Sequence, residues 1–211
     1  MSAHCCGHHT EPPKPEVGRG YRAALWIVLA INAAMFLVEI GAGLLSGSAA
    51  LQADALDFFG DAANYGISLF VVGMAMSARS WAALAKAASM LVFGLWVLGI
   101  AAWHLAGGTL PEAHTMGIVG VSALLANAAS FGVLWRFRAG DSNMRSAWIC
   151  TRNDVLGNFA VLLAALGVFG TGSGWPDVIV ATLMAALAIQ GAATVLPQAL
   201  GELRSARSAS A

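Results

Sequence analysis

The sequence predicts an all-α fold, an integral membrane bundle of six transmembrane helices with both termini in the cytoplasm. The first observation is composition: 58% of the 211 residues are hydrophobic and only 10% are charged, whereas about a quarter of the residues in a soluble domain are charged. The second is that six apolar stretches each approach the roughly 20 residues needed to cross the hydrocarbon core. The third is the one-sided distribution of Lys and Arg.

Short breaks with turn chemistry, such as Ser46-Gly47-Ser48, separate the six apolar stretches. We predict helices at about 23–45, 51–76, 82–106, 113–135, 146–170 and 177–199. The transmembrane unit would cover 21–200, between a flexible His- and Cys-containing tail (1–20) and a short tail (201–211), both cytoplasmic. Because no basic segment directly precedes a short apolar core, we expect no cleaved signal peptide.

The eleven Lys and Arg residues fix the predicted orientation. They precede helix one, flank the second–third and fourth–fifth connections, and follow helix six, whereas the other three connections contain none. Basic residues accumulate on the cytoplasmic side of a membrane protein. The pattern therefore predicts a multi-pass protein of the inner (cytoplasmic) membrane, and losing one helix would scatter the basic residues over both sides.

Several acidic residues fall within predicted membrane-spanning helices, where a charged side chain is energetically unfavourable. Asp54, Asp57 and Asp61 share one face of helix two at i, i+3 and i+7, and Cys150 and Asp154 share a face of helix five at i and i+4. A carboxylate inside a membrane is a functional hypothesis by default. If the two faces meet, Asp57 lies level with Asp154 and Asp61 with Cys150, so four ligands converge.

These residue types predict a metal site. Carboxylates this close repel one another unless protons or a divalent cation neutralise them, and a site that holds either suits a proton–metal exchanger. Four O/S ligands fit tetrahedral coordination, and the thiolate of Cys150 favours zinc or cadmium over magnesium or calcium. The alternative is a set of packing residues at a water-filled mouth. The sequence allows three roles for Asp54: a side chain that supports the metal ligands, a ligand on the exit path, or an acid at the start of the helix.

The N-terminal tail contains five further candidate ligands: His4, Cys5, Cys6, His8 and His9. A flexible cytoplasmic cluster of this kind could capture zinc or cadmium and pass it to the membrane site. The alternative is a tail without function. A structural disulfide is not expected in a reducing compartment.

Two other acids have separate interpretations. Glu39 in helix one lies at a depth with few partners, where Asn127 or a water molecule could serve. Asp177 follows Pro176 at the start of helix six. Its simplest interpretation is an acid in the first helical turn, where the helix dipole stabilises its negative charge.

The stretch from Ser46 to Asp61, SGSAALQADALDFFGD, resembles the helix-two signature of the cation diffusion facilitator family. Asn32, Glu39, Asn127 and Trp175-Pro176-Asp177 also resemble that family's pattern. The resemblance implies metal efflux from the cytoplasm by proton antiport, with the family's metal-site positions falling on Asp57, Asp61, Cys150 and Asp154. Two features depart from it. Cys150 stands where the family usually has His or Asp, and the chain ends about a dozen residues after helix six, so we expect a short member without the C-terminal cytoplasmic domain.

The predicted function is export of Zn²⁺ or Cd²⁺, with Co²⁺ and Ni²⁺ also compatible, in exchange for protons. The alternatives are a metal sensor or accessory protein that binds ions without moving them, and a membrane thiol oxidoreductase. We expect no enzyme activity, no resident cofactor and no nucleic-acid partner. No phosphate-binding loop, nucleotide fingerprint or Ser/His/Asp arrangement is present, so the sequence does not support ATP-driven pumping. The expected partners are metal ions and the lipid bilayer, and a homodimer would have to form through the transmembrane helices.

Overall fold

The computed structural model describes residues 19–70, 76–137 and 142–208, with side chains for 19–70, 80–137, 154–155, 157–197 and 199–205. Within these ranges it contains six α-helices and no strand. The helices are α1 Arg19–Ser46, α2 Ala49–Phe70, α3 Met76–Gly107, α4 Ala113–Trp135, α5 Ser142–Thr171 and α6 Trp175–Ser208. The predicted helix count and all-α class are confirmed.

Helix lengths follow the prediction closely only for α4, which spans 113–135 as expected. The α6 helix continues to Ser208, and Met76, predicted as the last residue of helix two, is instead the first residue of α3. Hydropathy detects only the part of a helix that lies in lipid, because backbone hydrogen bonds continue past the hydrocarbon boundary. It also cannot detect a break inside a continuous apolar run.

The connections α1–α2, α3–α4 and α5–α6 lie together at one end of the bundle, called the outer end. The amide of Glu112 donates to the carbonyl of Ser46 at 3.0 Å, which ties the α3–α4 connection to the end of α1. Each of these three connections turns through a glycine with positive φ, a conformation that residues with a Cβ avoid: Gly47, Gly108 and Gly172.

The opposite, inner end joins the start of α1 to the ends of α2 and α4. The rings of Tyr21 and Phe137 lie 5.2 Å apart, and Tyr65 is buried in the same cluster. At this end the Ser80 hydroxyl of α3 donates to a carboxylate oxygen of Glu202 on α6. The helices thus alternate in direction as predicted, and the basic residues described lie toward the inner end.

Large apolar side chains cover the outside of the bundle, including Leu45 (91% exposed) and Phe169 (83% exposed). In the described chain, four helices are long and apolar enough to cross a membrane, α1, α3, α4 and α6. The α2 helix is not among them because it contains three aspartates within eight residues. The two predicted site helices therefore differ from the other four. The α2 helix is too polar to count as a membrane-crossing helix by composition, and α5 contributes only the shorter apolar segment Gly157–Thr171.

Candidate metal site

The acidic face of α2 points into the bundle. Asp54 is 1% exposed and Asp61 is 7% exposed, and Asp57 is half-buried. The helix packs against α1, α3, α5 and α6, so a side chain on its inner face has little access to lipid. The one-face arrangement predicted from the i, i+3, i+7 spacing is therefore found.

Helix α5 contributes Asp154 opposite this face. The carboxyl groups of Asp61 and Asp154 lie close enough to interact electrostatically, and Asp154 Oδ2 has no hydrogen-bond partner among the described residues. One turn along α5, the Oδ2 atom of Asp57 lies 3.9 Å from the position that a Cβ on Gly157 would take. A glycine at this position leaves room for the Asp57 carboxylate between the two helices.

The structure brings the predicted ligands together only in part. Asp61 meets Asp154, and Asp57 lies beside α5 at Gly157, but no three His, Cys, Asp or Glu side chains in the described part of the chain are grouped closely enough to hold an ion. Cys150 lies on α5, four residues before Asp154, and its side chain lies outside the described residues. The tail ligands His4, Cys5, Cys6, His8 and His9 also lie outside them.

Two residues not predicted as site residues contact Asp61 or act on it. The Tyr65 hydroxyl donates to Asp61 Oδ2 at 3.2 Å. The Lys86 ammonium on α3 donates to Asn64 Oδ1 and is close enough to attract the Asp61 carboxylate. The i+4 spacing from Asp61 could have indicated Tyr65. Lys86 is one of the basic residues that flank the second–third connection, and its neighbours depend on how α3 packs.

Glu39 on α1 lies at the outer side of the aspartate face. It is 0% exposed, and neither carboxylate oxygen has a hydrogen-bond partner among the described residues. The charged group that acts on it most strongly is Asp54, followed by Asp57. The expected partner, Asn127, does not fill this role, because neither Glu39 oxygen accepts a hydrogen bond from it.

Asp177 lies in the first turn of α6, as expected, and has a further structural role in the contact with α2. Its carboxylate on α6 accepts hydrogen bonds from the Ser48 hydroxyl at 2.6 Å and from the backbone amides of Ala49 and Ala50 at 2.8 and 3.0 Å. Asp177 therefore caps α2 from a neighbouring helix, where anionic groups are favourable.

The chain is similar to known metal transporters over most of its length. Zinc transporter ZitB of Escherichia coli strain K12 is 28% identical over 92% of this chain and 66% of the relative. Zinc transporter ZitB of Yersinia pestis is 27% identical over 85% of the chain and 62% of the relative. Metal cation efflux system protein CzcD of Cupriavidus metallidurans is 26% identical over 78% of the chain and 56% of the relative. The chain thus spans less than two thirds of the length of these relatives.

The cation efflux transmembrane domain matches residues 25–204. This range contains α2, α3, α4 and α5 entirely and most of α1 and α6. The family resemblance carried by the helix-two residues is thereby confirmed. The chain is a multi-pass protein of the inner membrane and belongs to the cation efflux family.

Proposed function

We propose that this protein exports divalent metal ions from the cytoplasm in exchange for protons, with Zn²⁺ and Cd²⁺ as the leading substrates. The observation that carries the proposal is the meeting of Asp57 and Asp61 on α2 with Asp154 on α5 inside the bilayer. Carboxylates at this depth require neutralisation by protons, cations or water. A divalent cation and protons can each provide it, and alternation between them is the chemistry of an exchanger.

The closeness of Asp61 and Asp154 supports proton coupling. Two carboxylates this close repel each other unless one of them holds a proton. A metal ion that binds both oxygens must displace this proton, because the ligand atoms of a metal site are deprotonated. Return of a proton from the outer side would then release the metal.

The metal ligands in this proposal are Asp57, Asp61, Cys150 and Asp154. The three carboxylates supply charge, and the Cys150 thiolate makes the site softer and favours zinc and cadmium. Co²⁺ and Ni²⁺ remain within the range of such a ligand set. The names of the relatives, two zinc transporters and a metal cation efflux system protein, support this class of substrate.

The outer end supports an inward-facing starting state. The side chains of Ser48, Gln52 and Asp177 are all buried from solvent. Their hydrogen bonds close the outer side above the aspartate face, so a metal ion would enter from the cytoplasm. Rearrangement of α2 relative to α5 and α6 would then expose the site outward.

We also propose the domain organisation predicted above. The tail (1–20) would collect metal ions with His4, Cys5, Cys6, His8 and His9. The unit 21–200 would move them, and 201–211 would form a short cytoplasmic end, into which α6 continues as far as Ser208. A homodimer would use the transmembrane helices.

Uptake of Zn²⁺ and Cd²⁺ into proteoliposomes with an imposed pH gradient tests the proposal. We expect uptake that requires the gradient and disappears in Asp61→Ala and Asp154→Ala, both of which should still insert into the membrane. Wild-type flux in either variant would contradict the site. Metal binding without gradient-driven uptake would favour the sensor or accessory function instead.

A further inference from the structure

We infer that Glu39 and Asp54 form a second divalent-cation site, outward of the site at Asp57, Asp61, Cys150 and Asp154. Its role as an exit station rests on the proposed export function, but its ability to bind a cation does not. The argument depends on two side chains from different helices, α1 and α2, that face each other in the interior of the bundle.

The burial of this pair is nearly complete. Glu39 is 0% exposed and Asp54 is 1% exposed. Both Glu39 oxygens and Asp54 Oδ2 lack a hydrogen-bond partner among the described residues. Most buried polar groups have such a partner, and a buried carboxylate without one is costly. Glu39 and Asp54 are close enough to share a proton, but one proton joins only two of these three oxygens, so a group from outside the protein must satisfy the third.

The electrostatic surroundings specify a cation. The charged side chains that act on Glu39 are Asp54 and Asp57, both acidic, and no basic side chain of the described chain acts on either member of the pair. An arginine would have made an anion plausible, but none in the described part of the chain acts on this pair. The ligand class that fits is a divalent metal ion completed by water.

The pair lies on the outward side of the main site. Along α2, Asp54 comes one turn before Asp57 and one turn after Ala50, whose amide is capped by Asp177 at the outer end. Gln52 lies between Ala50 and Asp54 in the chain. Its side-chain amide donates a hydrogen bond to the carbonyl of Ser48 at 3.2 Å, and its side-chain oxygen accepts one from the indole N–H of Trp96 at 3.2 Å. An ion at Glu39 and Asp54 would thus stand directly below the outer closure.

The ligand set suits release. Two carboxylates and water bind a metal ion less tightly than three carboxylates and a thiolate, and they do not favour soft ions. Conduction through successive sites requires binding that is favourable enough for entry and weak enough for departure. A weaker, all-oxygen site next to the exit meets that requirement.

Binding of Cd²⁺ to the purified full-length chain, measured by isothermal titration calorimetry, tests this inference. All proteins would have Ala at His4, Cys5, Cys6, His8 and His9, so that the tail does not contribute. In the Asp61→Ala/Asp154→Ala background we expect one weaker Cd²⁺ site to remain. Adding Glu39→Gln should lower its affinity at least about tenfold, and Glu39→Asp should restore part of it.

Glu112→Gln is the matched control, because Glu112 is an exposed acid at the outer end. It should leave the residual site unchanged. Asp54→Asn gives an independent test if Glu39→Gln fails to fold, as judged by circular dichroism and gel filtration. Absence of residual binding, or residual binding unaffected by Glu39→Gln and Asp54→Asn, would overturn the second site. Binding without transport in the wild-type protein would instead contradict only the export function.

Discussion

The carboxylate of Asp177 on α6 accepts a 2.6 Å hydrogen bond from the hydroxyl of Ser48, 129 residues earlier in the chain. The same hydroxyl accepts from the amide of Leu51 at 3.0 Å, so both side chains together satisfy the first free amides of α2. Free amides at a buried helix start must find acceptors. The outer end of the site helix is therefore fixed by Asp177 of α6 together with Ser48, which directly precedes α2.

Asp177→Ala should destabilise the protein by about 2 kcal/mol or more, because it leaves buried donors unpaired. Asp177→Asn retains one acceptor oxygen and should lose less. Thermal unfolding of both variants in the same detergent measures the difference. Equal midpoints for wild type and Asp177→Ala would show that the cap contributes nothing.

Gly94→Ala should weaken the packing of α3 against α6. A Cβ there would lie 2.8 Å from Cγ1 of Ile189, and overpacking of this kind costs about 1–3 kcal/mol. Gly99 on the same helix has no neighbour within 4 Å of its Cβ position, so Gly99→Ala should be neutral or slightly stabilising. Thermal unfolding compares the pair, and a Gly94→Ala protein as stable as Gly99→Ala would contradict the close approach.

Binding of Zn²⁺ near neutral pH should release about two protons per ion, because the proton held by the Asp61–Asp154 pair and the proton of the Cys150 thiol must both leave. Titration calorimetry in two buffers of different ionisation enthalpy gives the number of protons released. Asp154→Asn removes the shared proton and should reduce the number released. A proton count that stays the same in this variant would place the exchanged proton elsewhere.

Lys86→Gln should raise metal affinity roughly threefold to tenfold, because it removes a positive charge that attracts Asp61 and repels an incoming cation. Lys86→Arg keeps the charge and serves as the control. Equilibrium binding of Cd²⁺ distinguishes the two. If Lys86→Gln and Lys86→Arg bind Cd²⁺ with the same affinity, the charge of Lys86 does not act on the site.

Cys150→Asp should reduce the preference for Cd²⁺ over Zn²⁺ on the order of tenfold, because a hard oxygen replaces a soft thiolate. Competition between the two ions in proteoliposome uptake measures this ratio. An unchanged ratio would remove Cys150 from the ligand set and leave selectivity to the carboxylates.

The helix count, the acidic face of α2 and the family could be predicted because each depends on local spacing and composition. Contacts between distant helices could not. The sequence predicts Asp177 as a first-turn acid, and it is one, but only the packing of α6 against α2 shows that it also caps that helix. The sequence marks Glu39 as an unfavourable charge in lipid, but its proximity to Asp54 depends on how α1 crosses α2. The ligand role of Cys150 stays a prediction.

The three aspartates of α2 also affect how the chain enters the membrane. Each aspartate near the centre of a span opposes insertion by about 2.5–3.5 kcal/mol, so α2 alone would partition poorly from the translocon into lipid. The tight Gly47 turn keeps α2 directly behind α1, which is apolar enough to insert unaided. Biogenesis should therefore deliver α1 and α2 as a helical hairpin, with α2 retained in the bilayer by its partners.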